Sequence, residues 1–274
     1  MERLQLSDFQ IGRELGKGKY GLVYLCRRRS TKQVYAMKVV FKDQLKCASL
    51  DFQDEVNSHA KCSGGPHIVK YFSYFEDDMR VYIFCEYIKG KNLYLLQGRR
   101  PLPEKRVAKW LHQLLLAVQH CHEQGIVHRD IKPENIMITN NEDGAMLVDF
   151  GCAIHNDSTS ICNLKPALVG TVDYLCPTRA TCLLDGTNRP KPYGHAADIW
   201  SLGVVVFEML TGHPPFETPT LKDTWSRIAQ VNYVWPDKLS VSEHAKDIVD
   251  KMLQCTETDR ISCHDALMHP FLLQ

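Results

Sequence analysis

Between Phe9 and Val40 the chain runs in short stretches of β-branched and aromatic residues separated by turns. Phe9-Gln10-Ile11-Gly12, Gly21-Leu22-Val23-Tyr24-Leu25 and the run from Val34 to Val40 predict three strands. The pattern then changes period. Phe52, Val56 and Ala60 recur at helical spacing between Asp51 and Lys61, and Gly64-Gly65-Pro66 stops that helix. Two more strand patterns follow, Ile68 to Phe75 and Arg80 to Tyr87, and a polar connector, Lys89-Gly90-Lys91, comes next. From Leu102 the chain turns helical, and Val107, Leu111, Leu114, Leu115, Val118 and Cys121 give one helix a broad apolar face. Asp198-Ile199-Trp200-Ser201-Leu202-Gly203 opens a very apolar helix reaching Leu210, and the chain stays helical to His269-Pro270-Phe271. Strands first and helices afterwards predict an α+β architecture of two lobes. Residues 1–87 form a small antiparallel β-sheet lobe with one helix, and residues 88–274 a larger, mainly helical lobe.

Composition changes this picture little. The 274 residues are 44% apolar and 24% charged, as in an ordinary globular protein with a sizeable core. Lys+Arg 33 against Asp+Glu 32 leaves a formal charge of +1, which removes the electrostatic case for direct nucleic-acid or anionic-membrane binding. No apolar run approaches the ~20 residues of a membrane span, and the N-terminus carries charge at Glu2 and Arg3, so the expectation is a soluble intracellular protein. The eleven cysteines scatter from Cys26 onward without a C-x-x-C pair, which favours free thiols in a reducing compartment. His120-Cys121-His122 lies in the helical pattern with no second Cys/His pair near it, a poor metal site.

The chemistry gathers in Val127-His128-Arg129-Asp130-Ile131-Lys132-Pro133-Glu134-Asn135 and, shortly after, Val148-Asp149-Phe150-Gly151. These match H-R-D-x-K-x-x-N and D-F-G in order and spacing. Two carboxylates, a lysine and an asparagine are what phosphoryl transfer asks for: one acid for the acceptor's proton, another acid and an amide oxygen for the metal on the phosphates. Upstream, Gly16-Lys17-Gly18-Lys19-Tyr20-Gly21 is by itself ambiguous, because the dinucleotide-binding fingerprint shares its spacing. That fingerprint opens a helix, whereas these glycines lead into another strand and on to Lys38, which favours a hairpin flap over phosphates. Lys38 needs an acidic partner, and the helix from Asp51 offers Glu55, with Asp54 adjacent as the alternative.

The ordered set resembles the eukaryotic protein kinases over Phe9 to Leu272. Within them it resembles the Aurora family, on the glycine loop, Phe41-Lys42-Asp43-Gln44-Leu45, His128 to Asn135, and Gly170-Thr171-Val172-Asp173-Tyr174-Leu175. The polo-like family is the neighbouring alternative through Phe216-Glu217-Thr218 to Tyr233, but it lacks the third loop glycine, here Gly21. The resemblance implies a protein-serine/threonine kinase using ATP and Mg2+, with Lys132 marking serine/threonine acceptors. By the same resemblance Asp130 deprotonates the acceptor hydroxyl, Lys132 lies beside the γ-phosphate, and Lys38 with Glu55 fixes the phosphates. Nucleotide contacts are implied for Leu15, Gly16, Lys17, Gly18, Gly21, Val23, Ala36, Lys38, Cys85, Glu86, Ile88, Glu134, Asn135, Met137 and Asp149, with the metal on Asn135 and Asp149. Glu134 and Glu208 match positions that in basophilic kinases meet an arginine upstream of the acceptor. The family's roles further imply mitosis and chromosome segregation, and protein substrates extending to histone tails and spindle or kinetochore proteins. They also imply an activating protein on the N-lobe, and a place in cytoplasm and nucleus at spindle, centrosome or chromosomes.

Two departures stand out in the activation segment, about 149–178. The family's activating threonine is replaced by Ala167, after Pro166, so that either the loop orders without phosphorylation or Ser158, Thr159 or Ser160 substitutes; the loop is also a few residues longer than the family's. Cys176-Pro177-Thr178 stands where kinases carry a glutamate that pairs with the arginine at 260, so Arg260 is expected to find another acceptor or open to solvent. These changes motivate a rival class, a pseudokinase scaffold. Against it, Lys38, Glu55, Asp130, Asn135 and Asp149 are all retained. A small-molecule kinase of the same fold is more distant, since Gly-Thr-x-x-Tyr and Asp198-Ile199-Trp200 suit a protein acceptor.

Overall fold

The computed structural model describes residues 4–18, 21–47, 51–155, 172–186 and 194–273. The first strands pair as antiparallel neighbours: β1 (Phe9–Gly18), β2 (Gly21–Arg28), β3 (Val34–Phe41), β4 (Tyr71–Glu76) and β5 (Arg80–Glu86), in the order β1-β2-β3-β5-β4. The register puts Val23 opposite Lys38, Ala36 opposite Cys85 and Lys38 opposite Ile83. Residues opposite one another share a face, and faces alternate along a strand. Val23, Ala36, Lys38 and Cys85 therefore line one face and are all half-buried. On the other face Tyr35, Met37, Val39, Tyr82 and Phe84 pack with Phe9 and Cys26 into a small core, with Phe9 stacked on Phe84 at 4.4 Å.

Strand β4 starts at Tyr71 rather than Ile68 because Ile68 and Val69 bond elsewhere. Ile68 bridges Leu147, the Val69 N–H donates to the Leu147 carbonyl, and the Val69 carbonyl accepts from His59. A short helix α1 (Lys42–Cys47) follows β3, and α2 (Phe52–Cys62) follows that; the Asp51 carboxylate caps α2 by accepting the Gln53 N–H. Past its end, Gly64 takes a φ of +94°, and a Cβ on Gly65 would lie 2.2 Å from the His120 ring, so both glycines are demanded by geometry.

After β5 come β6 (Gly90–Asn92), α3 (Leu93–Gln97) and α4 (Glu104–Glu123), whose predicted apolar face is buried. Short strands β7 (Ile126–Val127), β8 (Ile136–Thr139), β9 (Ala145–Leu147) and β10 (Ile154–His155) frame the residues from His128 to Gly151, with β6-β8-β9 one small sheet and β10-β7 another. Then follow α5 (Pro177–Leu184), α6 (Ala196–Thr211), α7 (Leu221–Gln230), α8 (Glu243–Met252) and α9 (Cys263–Leu267). Helix α6 is buried from Ala197 to Thr211 and is the axis of the helical core. Gly203 lets α8 approach it, since a Cβ there would meet the Met252 Cβ at 2.8 Å. Among the described residues no helix is long and apolar enough to cross a membrane, and nine cysteines are free thiols.

Candidate active site

The glycine-rich segment is a hairpin. Gly16 and Gly18 end β1, Gly18 pairs with Gly21, and the chain continues into β2, so the segment is a hairpin and does not open a helix. Lys19 and Tyr20 lie outside the described residues. The glycines differ in kind. A Cβ on Gly16 would meet nothing within 4 Å, whereas one on Gly21 would sit 1.9 Å from the Val39 carbonyl oxygen. Gly21 is required by close packing on β3; Gly16 leaves backbone open. Leu15 and Lys17 are on β1, Glu86 ends β5, Ile88 lies in the connector and Met137 on β8 opposite Asn92.

Below the sheet, Lys38 Nζ lies 2.6 Å from Glu55 Oε1 and 2.7 Å from Asp149 Oδ1. Of the two candidate acids on α2, Glu55 is the one that points inward; it is buried, and Asp54 is exposed. Burial works against the Lys38 charge, but the Asp149 and Glu55 carboxylates outweigh it and drive its pKa upward. Burial raises Glu55, opposed by Lys38. Asp149 is held well below the usual carboxylate range: burial pushes it up, and the Lys38 charge, its hydrogen bond and the Gly151 N–H overcome that. The Asp149 side chain is still 36% exposed, so an ionised oxygen faces the cleft. Asp149 sits at φ +64° and Arg129 at φ +66°, backbone strain of the kind stored at working sites. Gly151 is equally constrained, since a Cβ there would press on Asp149 Oδ1 and Lys38 Nζ at 3.1 Å each.

The second group of residues is on the loop after β7. Lys132 Nζ is 2.8 Å from Asp130 Oδ2, and the Asn135 amide nitrogen donates at 2.9 Å to both that oxygen and the Asp130 carbonyl. Asp130 Oδ1 is buried and has no hydrogen-bond partner among the described residues, an acceptor held ready. The loop is fixed from beneath by Asp198 in the first turn of α6, which accepts the His128 and Arg129 N–H groups and His122 Nε2, each at 2.9 Å. Glu134 is exposed beside this loop, and Glu208, on α6, accepts the Tyr174 hydroxyl at 2.6 Å.

One residue that composition and motif reading passed over joins the two groups. His59, 3% exposed, stacks flat on Phe150 with ring centroids 4.6 Å apart, and Phe150 meets His128 edge to face at 5.0 Å. Its Nε2 donates to the Val69 carbonyl at 2.8 Å, and burial first of all pushes its pKa down to about 4, so the ring is neutral. The signal was present: His59 follows Glu55 by four residues and so shares its helix face.

The activation-segment expectations divide. Ser158, Thr159, Ser160, Pro166, Ala167, Gly170 and Thr171 lie outside the described residues. Arg129 Nε donates to the Cys152 carbonyl at 2.6 Å. Arg260 has found other acceptors: the carbonyls of Gln254 (2.7 Å), Ala196 and Cys255 (3.0 Å each), beneath the face of Trp200 at 5.2 Å. Thr178 donates instead to Glu257 at 3.2 Å.

A two-lobed fold with a lysine-carboxylate cluster under a glycine hairpin defines a class, and comparison with known proteins gives it a family. The family described as protein kinase domain matches residues 9–272. The chain is 38% identical over 274 residues to "Aurora kinase A-A" of Xenopus laevis, covering 98% of this chain and 63% of that protein. It is 36% identical to "Aurora kinase C" of Mus musculus over 97% of this chain and 92% of that one. To "Serine/threonine-protein kinase Aurora-1" of Arabidopsis thaliana it is 37% identical, over 100% and 89%. The chain belongs to the protein kinases and, among them, to the Aurora kinases. It spans about 63% of the length of the Xenopus laevis relatives. Membership in the protein kinases implies use of ATP and Mg2+.

Proposed function

We propose that the chain is an ATP-dependent serine/threonine kinase acting on proteins in mitosis, with its lobes meeting near residue 88. The observation that carries this is the pair of charge clusters facing one cleft: Lys38 joined to both Glu55 and Asp149, and Asp130 with one buried carboxylate oxygen unpartnered. The donor set fits the group that the family uses. Asn135 commits its amide nitrogen to Asp130, which leaves its oxygen, together with ionised Asp149, as hard donors suited to magnesium. Bound ATP with magnesium supplies the transferable phosphoryl group and the neutralising charge.

The chain's own residues do the rest. Lys38, oriented by Glu55, presents a fixed positive charge to phosphate oxygens, and the half-buried face of Val23, Ala36 and Cys85 gives the base an apolar slot. Leu15, Met137 and the connector at Glu86 and Ile88 complete that slot; the backbone around Gly16, Lys17 and Gly18 covers the phosphates. Asp130 accepts the acceptor hydroxyl's proton on its free oxygen, while Lys132 holds the other oxygen and stands beside the group in transit. Glu134 and Glu208 favour an acceptor with arginine N-terminal to the serine or threonine. An activating protein on the N-lobe, and targets on histone tails, kinetochore or spindle, follow from the same reading.

The test is phosphate transfer from Mg-ATP to arginine-directed serine peptides, with unphosphorylated chain beside Asp149→Asn. Turnover that the variant lacks supports a kinase working despite Ala167. Silence from both, with ATP bound, overturns it in favour of a scaffold. If the arginine preference is right, Glu208→Ala flattens the peptide profile.

A further inference from the structure

The acidic rim that the proposed function assigns to a substrate arginine holds more acid than one arginine needs. Glu134, Asp173, Glu208 and Glu217 act on one another electrostatically: Glu134 and Asp173 raise Glu208, and Glu217 raises Asp173. Among the described residues one arginine enters this group, and His213 Nδ1 lies 3.8 Å from Glu217 Oε2. Arg99 Nη2 lies 2.5 Å from both carboxylate oxygens of Glu217, and its charge pulls down both Asp173 and Glu208.

The position of Arg99 is built. Gln97, 4% exposed, ends α3 with its amide donating to the Glu208 carbonyl at 2.6 Å. The chain then turns through two consecutive left-handed residues, Gly98 at φ +58° and Arg99 at φ +57°. A left-handed arginine carries a steric cost that a loop does not keep without a compensating contact. The turn also depends on Gly212, at the C-terminus of α6, where a Cβ would lie 2.8 Å from the Arg99 carbonyl oxygen. Three features thus deliver one guanidinium to Glu217, while Glu134 stays exposed and Glu208 is held by the hydroxyl of Tyr174.

We propose that Arg99 is a specificity-determining residue of the acceptor site: it occupies Glu217 as an internal stand-in for a substrate arginine, so that the rim reads one upstream arginine, through Glu208 and Glu134, and withholds the place of a second. This rests on the arginine-directed reading above. It predicts acceptors with a single upstream basic residue and indifference to another.

The experiment is equilibrium binding, by fluorescence anisotropy, of labelled serine peptides with no, one or two upstream arginines, the second arginine scanned along the peptide. The whole chain is used, without nucleotide. Wild type is expected to bind the one- and two-arginine peptides within about twofold of each other. Arg99→Gln should raise the two-over-one affinity ratio about tenfold, the size of one charge-assisted hydrogen bond. Adding Glu217→Gln to that variant should return the ratio to the wild-type value. The Arg99 side chain is 51% exposed, so the fold is not at stake, and an unchanged melting midpoint checks this. Arginine dependence with the same ratio in wild type and Arg99→Gln overturns the role of Arg99 alone. A wild type already favouring two arginines tenfold does the same. If no peptide is preferred over the arginine-free one, the arginine-directed reading fails and this proposal falls with it.

Discussion

Two buried charges on neighbouring parts of the helical core, Asp198 and Arg260, are stabilised in different ways. Asp198, fully buried, is surrounded by donors: two backbone N–H groups of the loop that carries Asp130, and His122. Its carboxyl is held down; burial alone would raise it, and the His122 contact and the amides prevail. Arg260 donates to three carbonyl oxygens beneath the Trp200 ring, and position 178 offers a hydroxyl. Asp198 fixes a functional loop with a full charge. Arg260 ties α6 to the chain after α8 with dipoles and leaves α5, which carries Thr178, on a separate, weaker bond to Glu257. Backbone carbonyls and an aromatic face are thus among the groups that satisfy Arg260, and a hydroxyl at 178 need not expose the base.

The sharpest way to break the comparison is Asp198→Ala. It leaves two buried N–H groups and the half-buried His122 without their acceptor, and the expected loss is about 3–5 kcal/mol in denaturant unfolding. That loss should depend on pH. The folded pKa of Asp198 is depressed, so its contribution is present above the unfolded carboxylate value of about 3.9 and fades as pH falls through the folded one. The gap between wild type and Asp198→Ala should then narrow from pH 7 toward pH 3; a constant gap would mean that the charge is not what holds the loop.

Next in size is Arg260→Met, which strands neutral carbonyls and removes the contact with Trp200. About 2–3 kcal/mol is expected. Thr178→Glu should move stability by less than about 1 kcal/mol, since a new carboxylate near Arg260 also stands against Glu257. A gain above about 2 kcal/mol would show that Arg260 is poorly satisfied by its carbonyls. The smallest effect concerns a third buried charge on α6. Burial, with Glu134 and Asp173, pushes Glu208 up to about 7 against the Tyr174 hydroxyl and Arg99. Affinity for a one-arginine peptide should rise severalfold from pH 6 to pH 8 as the carboxylate ionises, and a flat profile would remove Glu208 from recognition.

Much of the site could be read in the chain. Asp130, Lys132, Asn135 and Asp149 lie in two short segments, and the spacing of Phe52, Val56 and Ala60 placed Glu55 on an amphipathic helix. The strand pattern from Val34 to Val40 placed Lys38 on a strand. What eluded reading were contacts between segments far apart in the chain. Ile68 and Val69 have strand composition but bond to β9 and His59 in place of β5. His59 reads as one more polar residue until Phe150 is brought against it. Arg99 looks like half of an ordinary Arg-Arg pair until the left-handed turn lays it on Glu217.

The sequence by itself determined the class of the protein, its lobes and the inventory of reactive groups, because these depend on local periodicity and on motifs a few residues long. Only the tertiary structure decided which acid holds Lys38, what replaces a glutamate at 178, and which charges share the acidic rim. Those choices turn on burial and on ångström-scale distances between residues from 17 to 118 positions apart in the chain. At that separation Coulomb energies and desolvation are set by packing, not by neighbours along the chain.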